Sequence, residues 1–125
     1  MIVDDSPMMR RLLIRTISLE GEFRFLEVAS ASEAIKRLGR LLPELIMLDV
    51  NLGEENGLDL LASLKKMEVT KDIPIVVCSA NTDATVLETA KRHGATAFIP
   101  KPISAKQLRS VVRKIFDPEG SEEEE

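Results

Sequence analysis

The chain has 125 residues, a formal net charge of −4, 44% hydrophobic residues, one cysteine, and four phenylalanines as its only aromatic side chains. That length fits one domain burying roughly two-thirds of its unfolded surface, and a lone thiol excludes an internal disulfide framework. No apolar run reaches the roughly 20 residues of a membrane span, and the Met1 end lacks a signal-peptide layout, so the chain reads as soluble and cytoplasmic.

The charge is unevenly placed. All 17 Lys and Arg fall at or before Lys114, whereas six acids follow Phe116, leaving 15 acids against 17 bases up to that point. A near-neutral body with few stacking side chains argues against direct nucleic acid binding.

Short continuous apolar runs alternate with longer stretches at helical spacing, the pattern of buried parallel strands and covering helices. Residues 1–3 open as the first strand. Ser6 ahead of Pro7 caps the first helix, whose buried face is expected at Met9, Leu12, Leu13, Thr16 and Ile17. Residues 23–28 read as the second strand. Ser30 and Glu33 have capping-box spacing, and Ala34, Ile35, Leu38, Leu41 and Leu42 follow as one helical face.

Residues 45–48 form the third strand, leading to a helix through Leu60, Leu61, Leu64 and Met67. Residues 73–78 form the fourth, with Pro74 near its start, where a missing ladder donor costs least. A weaker helical pattern at Val86 and Ala90 ends at His93-Gly94, with His93 read as a capping residue. Residues 97–99 and the face Leu108, Val111, Val112 and Ile115 complete the series. The expected domain covers residues 1–117, with 118–125 as a disordered acidic tail.

Five alternating βα units with short connections predict an α/β fold. The expected architecture is a doubly wound five-stranded parallel sheet of order 2-1-3-4-5, flanked by five helices. Ligands in such sheets gather at the carboxyl ends of the strands. Asp4 and Asp5 follow the first strand, Asp49 the third, Ser79 the fourth and Lys101 the fifth. With the first and third strands adjacent, the three carboxylates converge.

Two unit negative charges about 4 Å apart repel by about 4 kcal/mol at an effective dielectric of about 20, so the cluster needs protons or cations. Hard oxygen donors with a nearby main-chain carbonyl suit Mg²⁺. An aspartate so placed can act as a nucleophile toward phosphorus, with Lys101 pairing the phosphoryl oxygens and Ser79 donating a hydrogen bond. Cys78, within an apolar strand, reads as a small core residue.

Val3-Asp4-Asp5-Ser6, the Leu48-Asp49-Val50-Asn51-Leu52 block with Asn56-Gly57, Ser79-Ala80, Gly94-Ala95, Phe98 and Lys101-Pro102 together carry a specific likeness. Over residues 1–116 the chain resembles the receiver domains of two-component response regulators, signalling modules of flavodoxin-like fold. The resemblance implies that Asp49 is the phosphoacceptor and that Asp4, Asp5, Asp49 and the Asn51 carbonyl hold Mg²⁺. It implies phosphate binding by Ser79, Ala80 and Lys101, a switch pairing Ser79 with Phe98, and a cis bond before Pro102. It further implies a histidine kinase or phosphotransfer protein as donor. The output would be a downstream protein target or effector domain, met by the fourth helix, fifth strand and fifth helix.

Three positions depart from the family pattern. Only three residues precede Asp4, Gly53 stands where many members have Pro, and Glu55 stands where an apolar residue is common. Whether the receiver acts alone or belongs to a larger regulator or hybrid kinase is open at this point. A rival reading is a small Mg²⁺-dependent aspartate phosphohydrolase, but that chemistry needs a second Asp two residues after the nucleophile, where Asn51 stands. A third is a pseudo-receiver that binds a partner without phosphorylation; the complete set of acids, hydroxyl and lysine argues against it.

Overall fold

In the computed structural model, which describes residues 1–119, strands and helices alternate as the apolar pattern predicts. The order is β1 (Ile2–Val3), α1 (Pro7–Ile17), β2 (Glu27–Val28), α2 (Ala31–Leu38), β3 (Ile46–Asp49), β4 (Asn51–Leu52) and β5 (Glu55–Asn56). It continues with α3 (Gly57–Lys66), β6 (Ile75–Ser79), α4 (Ala84–Arg92), β7 (Ala97–Pro100) and α5 (Ala105–Phe116). Residues 120–125, on which most of the expected acidic tail falls, lie outside the described residues.

Five strands form one parallel sheet of order β2-β1-β3-β6-β7, and β4 pairs antiparallel with β5 in a separate hairpin. Counted over the main sheet, this is the expected 2-1-3-4-5 order of a flavodoxin-like fold. Side chains alternate between the two faces of each strand. Val3, Ile46, Leu48, Ile75 and Val77 pack with Leu61 and Leu64 of α3 and Ala34 of α2. On the other face Ile2, Met47, Val76 and Ile99 pack with Leu13 of α1 and Leu108 and Val112 of α5. Each such Leu or Ile contributes about 1.5–3 kcal/mol on burial, against at most about 1 kcal/mol for an exposed ion pair, so these two layers hold the sheet together.

Side-chain caps fix where most helices begin. Ser6 Oγ accepts from Met9 N with Pro7 in the first helical position, and Ser30 Oγ accepts from Glu33 N. Asn56 Oδ1 accepts from Leu58 N, and Ser104 Oγ accepts from Gln107 N. α4 has no such cap. It ends at Gly94, whose φ of +94° favours a residue without Cβ.

Several expectations are corrected. The second strand is two residues rather than six: the register pairs only Glu27 and Val28 with β1, and before them only Leu26 is tied to β1, through the bond from Ile2 N to its carbonyl. Phe23 instead packs tilted against Phe116, ring centroids 5.1 Å apart, and edge-on at 6.4 Å to Phe25. α2 stops at Leu38, so Leu41 and Leu42 lie exposed in the following loop, and Ile35 faces solvent. Leu12 and Met67 are also exposed: Ile14 takes the packed position on α1, and α3 ends before Met67. The two-residue strands of the β4–β5 hairpin carry no strand-like hydrophobic alternation, so the sequence pattern does not mark them.

A polar clamp fastens α1 to α5. Glu20, in the 3-10 turn Ser18–Glu20 after α1, accepts from Arg113 Nε at 2.7 Å and from Arg109 Nε. The hydrogen bonds from Arg113 and Arg109 hold its carboxyl at about 2, below its ordinary 4.5. A carboxyl depressed on folding lends stability above its unfolded value and loses it as pH falls through the folded value. The stability advantage of the wild-type chain over E20Q is therefore expected to be full above pH 4.5 and to shrink toward pH 2. Denaturant unfolding at stepped pH measures it; a difference that stays constant across that window would refute the assignment.

Candidate functional site

β1 and β3 are neighbours in register, Val3 opposite Leu48, so the residues just beyond them emerge side by side. Asp4 is fixed from several directions. Its amide donates to Val28 O at 3.1 Å, its Oδ1 accepts from Ser6 N at 2.9 Å, and its carbonyl accepts from Arg10 Nη1 at 2.7 Å. Asp49, the last residue of β3, accepts at Oδ1 from Asn51 N at 3.1 Å. Asp5 sits in the exposed turn between Asp4 and α1. One carboxylate oxygen from each of Asp4, Asp5 and Asp49 lies within 4.8 Å of the other two.

Asp4 is 1% exposed and Asp49 5%, so their charges are largely withdrawn from water. The cation they share is Lys101, just after β7, with Nζ 3.0 Å from Asp49 Oδ2 and 3.4 Å from Asp4 Oδ2. Burial pushes the Asp49 carboxyl above its ordinary value despite the bond from Lys101. Burial alone would lower the Lys101 ammonium; the bond and charge of Asp49, joined by Asp4, outweigh it and leave Lys101 raised. Three carboxylates and one ammonium sum to −2. A divalent cation cancels that charge, and hard carboxylate oxygens match Mg²⁺ chemistry.

The backbone around Asp49 is tightly determined. Val50 N donates to Cys78 O at 3.0 Å, and Gly57 N to Val50 O at 2.6 Å, closing the β4–β5 hairpin onto the start of α3. A Cβ on Gly57 would sit 2.9 Å from Val50 Cα and closer still to the Asp49 carbonyl oxygen. Gly53 turns the hairpin at φ +66°. Glu55 spans to α2, accepting from Ala31 N at 2.9 Å.

Ser79 closes β6 and is buried; its Oγ accepts from Asn81 N at 3.0 Å, and its carbonyl accepts from Lys101 N at 2.9 Å. Ala80 is the exposed residue that follows. Asn51 is exposed on β4, next to Asp49. The Lys101–Pro102 bond is cis. Phe98 lies opposite Val77, half-buried against the face that packs on α3 and α4. The acids, Lys101 and Ser79 thus share one edge of the sheet, and Phe98 on β7 packs against the core on its α3 and α4 side. Cys78 is buried, and burial pushes its thiol up to about 12, so it stays protonated at neutral pH. Sequence reasoning missed Arg10 as a contact of Asp4: nothing in the polar side of α1 marks it apart from Arg11 and Arg15.

A doubly wound sheet whose strand ends gather three acids, two of them paired to one lysine, defines a class of acid-pocket α/β domains. The profile of the response regulator receiver domain matches residues 1–113. The chain belongs to that family. It is 29% identical over 115 residues to the chemotaxis protein CheY of Thermotoga maritima, covering 92% of this chain and 94% of that protein. It is 39% identical over 85 residues to the regulatory protein LuxO of Vibrio cholerae, and 32% identical over 114 residues to the DNA-binding response regulator MtrA of Mycolicibacterium smegmatis. Those matches span 68% and 90% of this chain but only 18% and 48% of the respective proteins. Among solved structures, a putative response regulator from Chloroflexus aurantiacus aligns with a TM-score of 0.84 at 26% identity, over 91% of this chain and 93% of that one. The receiver domain of NtrX from Brucella abortus aligns at 0.82 and 30% identity, over 93% and 96%.

The close approach at Gly57 yields a direct test. G57A is expected to destabilise the fold by about 3 kcal/mol, at the upper end of overpacking costs, because its neighbours are backbone atoms that cannot swing aside. Urea unfolding measures the loss, and amide shifts at Val50 and Asn51 report displacement of the acceptor loop; a neutral G57A would contradict the packing described.

Proposed function

We propose that the chain is a phosphoacceptor switch: residues 1–117 receive a phosphoryl group on Asp49 from a phosphohistidine of a histidine kinase or phosphotransfer protein. The observation that carries this reading is the convergence of Asp4, Asp5 and Asp49 at the strand ends, with Lys101 Nζ paired to Asp4 and Asp49. Asp4, Asp5, Asp49 and the main-chain carbonyl of Asn51 would hold Mg²⁺. When bound, the ion neutralises charge on the phosphoryl oxygens during transfer.

An Asp49 oxygen forms a bond to phosphorus as the phosphorus–nitrogen bond breaks, its electron pair returning to the imidazole, which then takes a proton. The product is an acyl phosphate. Lys101, held between two carboxylates, pairs with a phosphoryl oxygen. The Ser79 hydroxyl, which already accepts from Asn81 N, gives its hydrogen to another. Attack of water on phosphorus later restores the carboxylate. The burial that raises Asp49 is opposed by Lys101, which favours the ionised, nucleophilic form.

The acyl phosphate carries about −1.5 to −2 charges beside Ser79 and Lys101 in place of the carboxylate's single charge, and sets them on three oxygens that reach farther from the main chain. Pulling these groups toward it biases the β6 and β7 ends and Phe98 beneath them, and the face of α4, β7 and α5 carries the readout to a protein target or effector domain. No helix among the described residues is long and apolar enough to cross a membrane.

Titration with Mg²⁺ and beryllofluoride is expected to move amide resonances at Asp49, Ser79 and Phe98 together; an unchanged spectrum would sink the reading. Stoichiometric phosphorylation by a small acyl phosphate donor is expected for the wild type and not for D49N. K101A is expected to keep cooperative unfolding yet lose the coupled shift at Phe98 on phosphorylation, and a wild-type response from it would remove Lys101 from the switch.

A further inference from the structure

Arg10 lies on α1 with its side chain 16% exposed, yet both ends of its guanidinium are engaged. Nη1 donates to the Asp4 carbonyl at 2.7 Å, and Nε donates to Glu27 Oε1 at 3.0 Å. Glu27 begins β2 and lies opposite Ile2, so this one side chain ties α1, the end of β1 and β2 together. The tie matters because the main sheet is thin here. β1 and β2 are each two residues long; the bonds from Ile2 N to Leu26 O and from Asp4 N to Val28 O extend the ladder by one residue at each end, and the second of these lies at the Asp4 end.

We infer that Arg10 is a positioning residue for the metal carboxylate of Asp4, acting through the main chain rather than on the ion. This rests on the phosphoacceptor reading above. With the amide on Val28, the carbonyl on Arg10 and Oδ1 on Ser6 N, Asp4 keeps Oδ2 directed at Lys101 and the acid cluster. Loss of the Arg10 bond strands a buried carbonyl and frees the β1 end to shift. The planar fork engages two partners with two of its N–H groups, which a point-charge ammonium cannot reproduce in the same geometry. Glu27 neutralises the guanidinium and fixes its orientation.

Charge and positioning predict opposite signs. If Arg10 mattered only as a positive charge beside three acids, removing it would tighten cation binding. If it orients Asp4, removing it weakens binding, by about tenfold for an outer-shell partner of a metal ligand. The experiment titrates Mg²⁺ into the full chain without any phosphodonor, following the Asp4, Asp5 and Asp49 amides by NMR, for the wild type, R10A and R10M. R10M retains the aliphatic stem, so it carries the comparison if R10A does not fold. A Kd raised about tenfold in the variants, with the D49N control folded and weak, supports the inference. An unchanged or lower Kd in a folded Arg10 variant overturns it. Failure of the wild type itself to take up Mg²⁺ overturns the phosphoacceptor reading first, and this inference with it.

Discussion

Two carboxylates almost wholly removed from water, with a third at their rim, are the constraint around which the strand ends are organised. At about 4 kcal/mol for each close pair of like charges, such a cluster is tolerated only with cations built into the fold or drawn into it. Lys101 supplies one positive charge from the far side of the sheet. The remaining deficit makes the pocket responsive: any cation or phosphoryl group that enters changes the balance among Asp4, Asp49 and Lys101, and with it the ends of three strands.

Converting that imbalance into a defined geometry is the work of the backbone. Asp49 is bracketed by bonds that leave its loop little freedom: Asn51 N on its own carboxylate, Val50 N on Cys78, and Gly57 N on Val50. Gly57 is present because the start of α3 runs against the carbonyl of Asp49, a separation too small for any Cβ. On the other side Asp4 is held by β2, by the first turn of α1 and by Arg10. The chemistry therefore sits on strand ends and helix starts rather than on a long loop, which suits a site that must hold oxygen atoms at fixed spacing.

The opposite end of the sheet is of different character. An apolar cavity of about 740 Å³ opens there, lined by Phe23, Phe25, Leu42, Met47 and Phe116 among others. Asp4, Asp5, Asp49, Ser79 and Lys101 do not line it. The two ends of the same strands thus separate roles: carboxyl ends collect charge, and amino ends collect aromatic and aliphatic bulk.

The alternation of apolar runs with helical faces, and the polar residue after each strand, were legible in the sequence because they follow from periods of 2 and 3.6 and from the rule for doubly wound sheets. The three acids, Ser79 and Lys101 could be placed on one edge from that alone. What required the tertiary structure was everything set by neighbours rather than by pattern. β2 is short because its register with β1 pairs only Glu27 and Val28, and Leu12, Ile35, Leu41 and Leu42 are exposed because no element among the described residues packs over them. Gly57 and Arg10 are important through a backbone contact and a bond to a distant carbonyl, and neither leaves a periodic trace. Local sequence encodes which face is apolar and where a helix begins; which residues press on Asp49 and Asp4 is decided only when segments far apart in the chain meet.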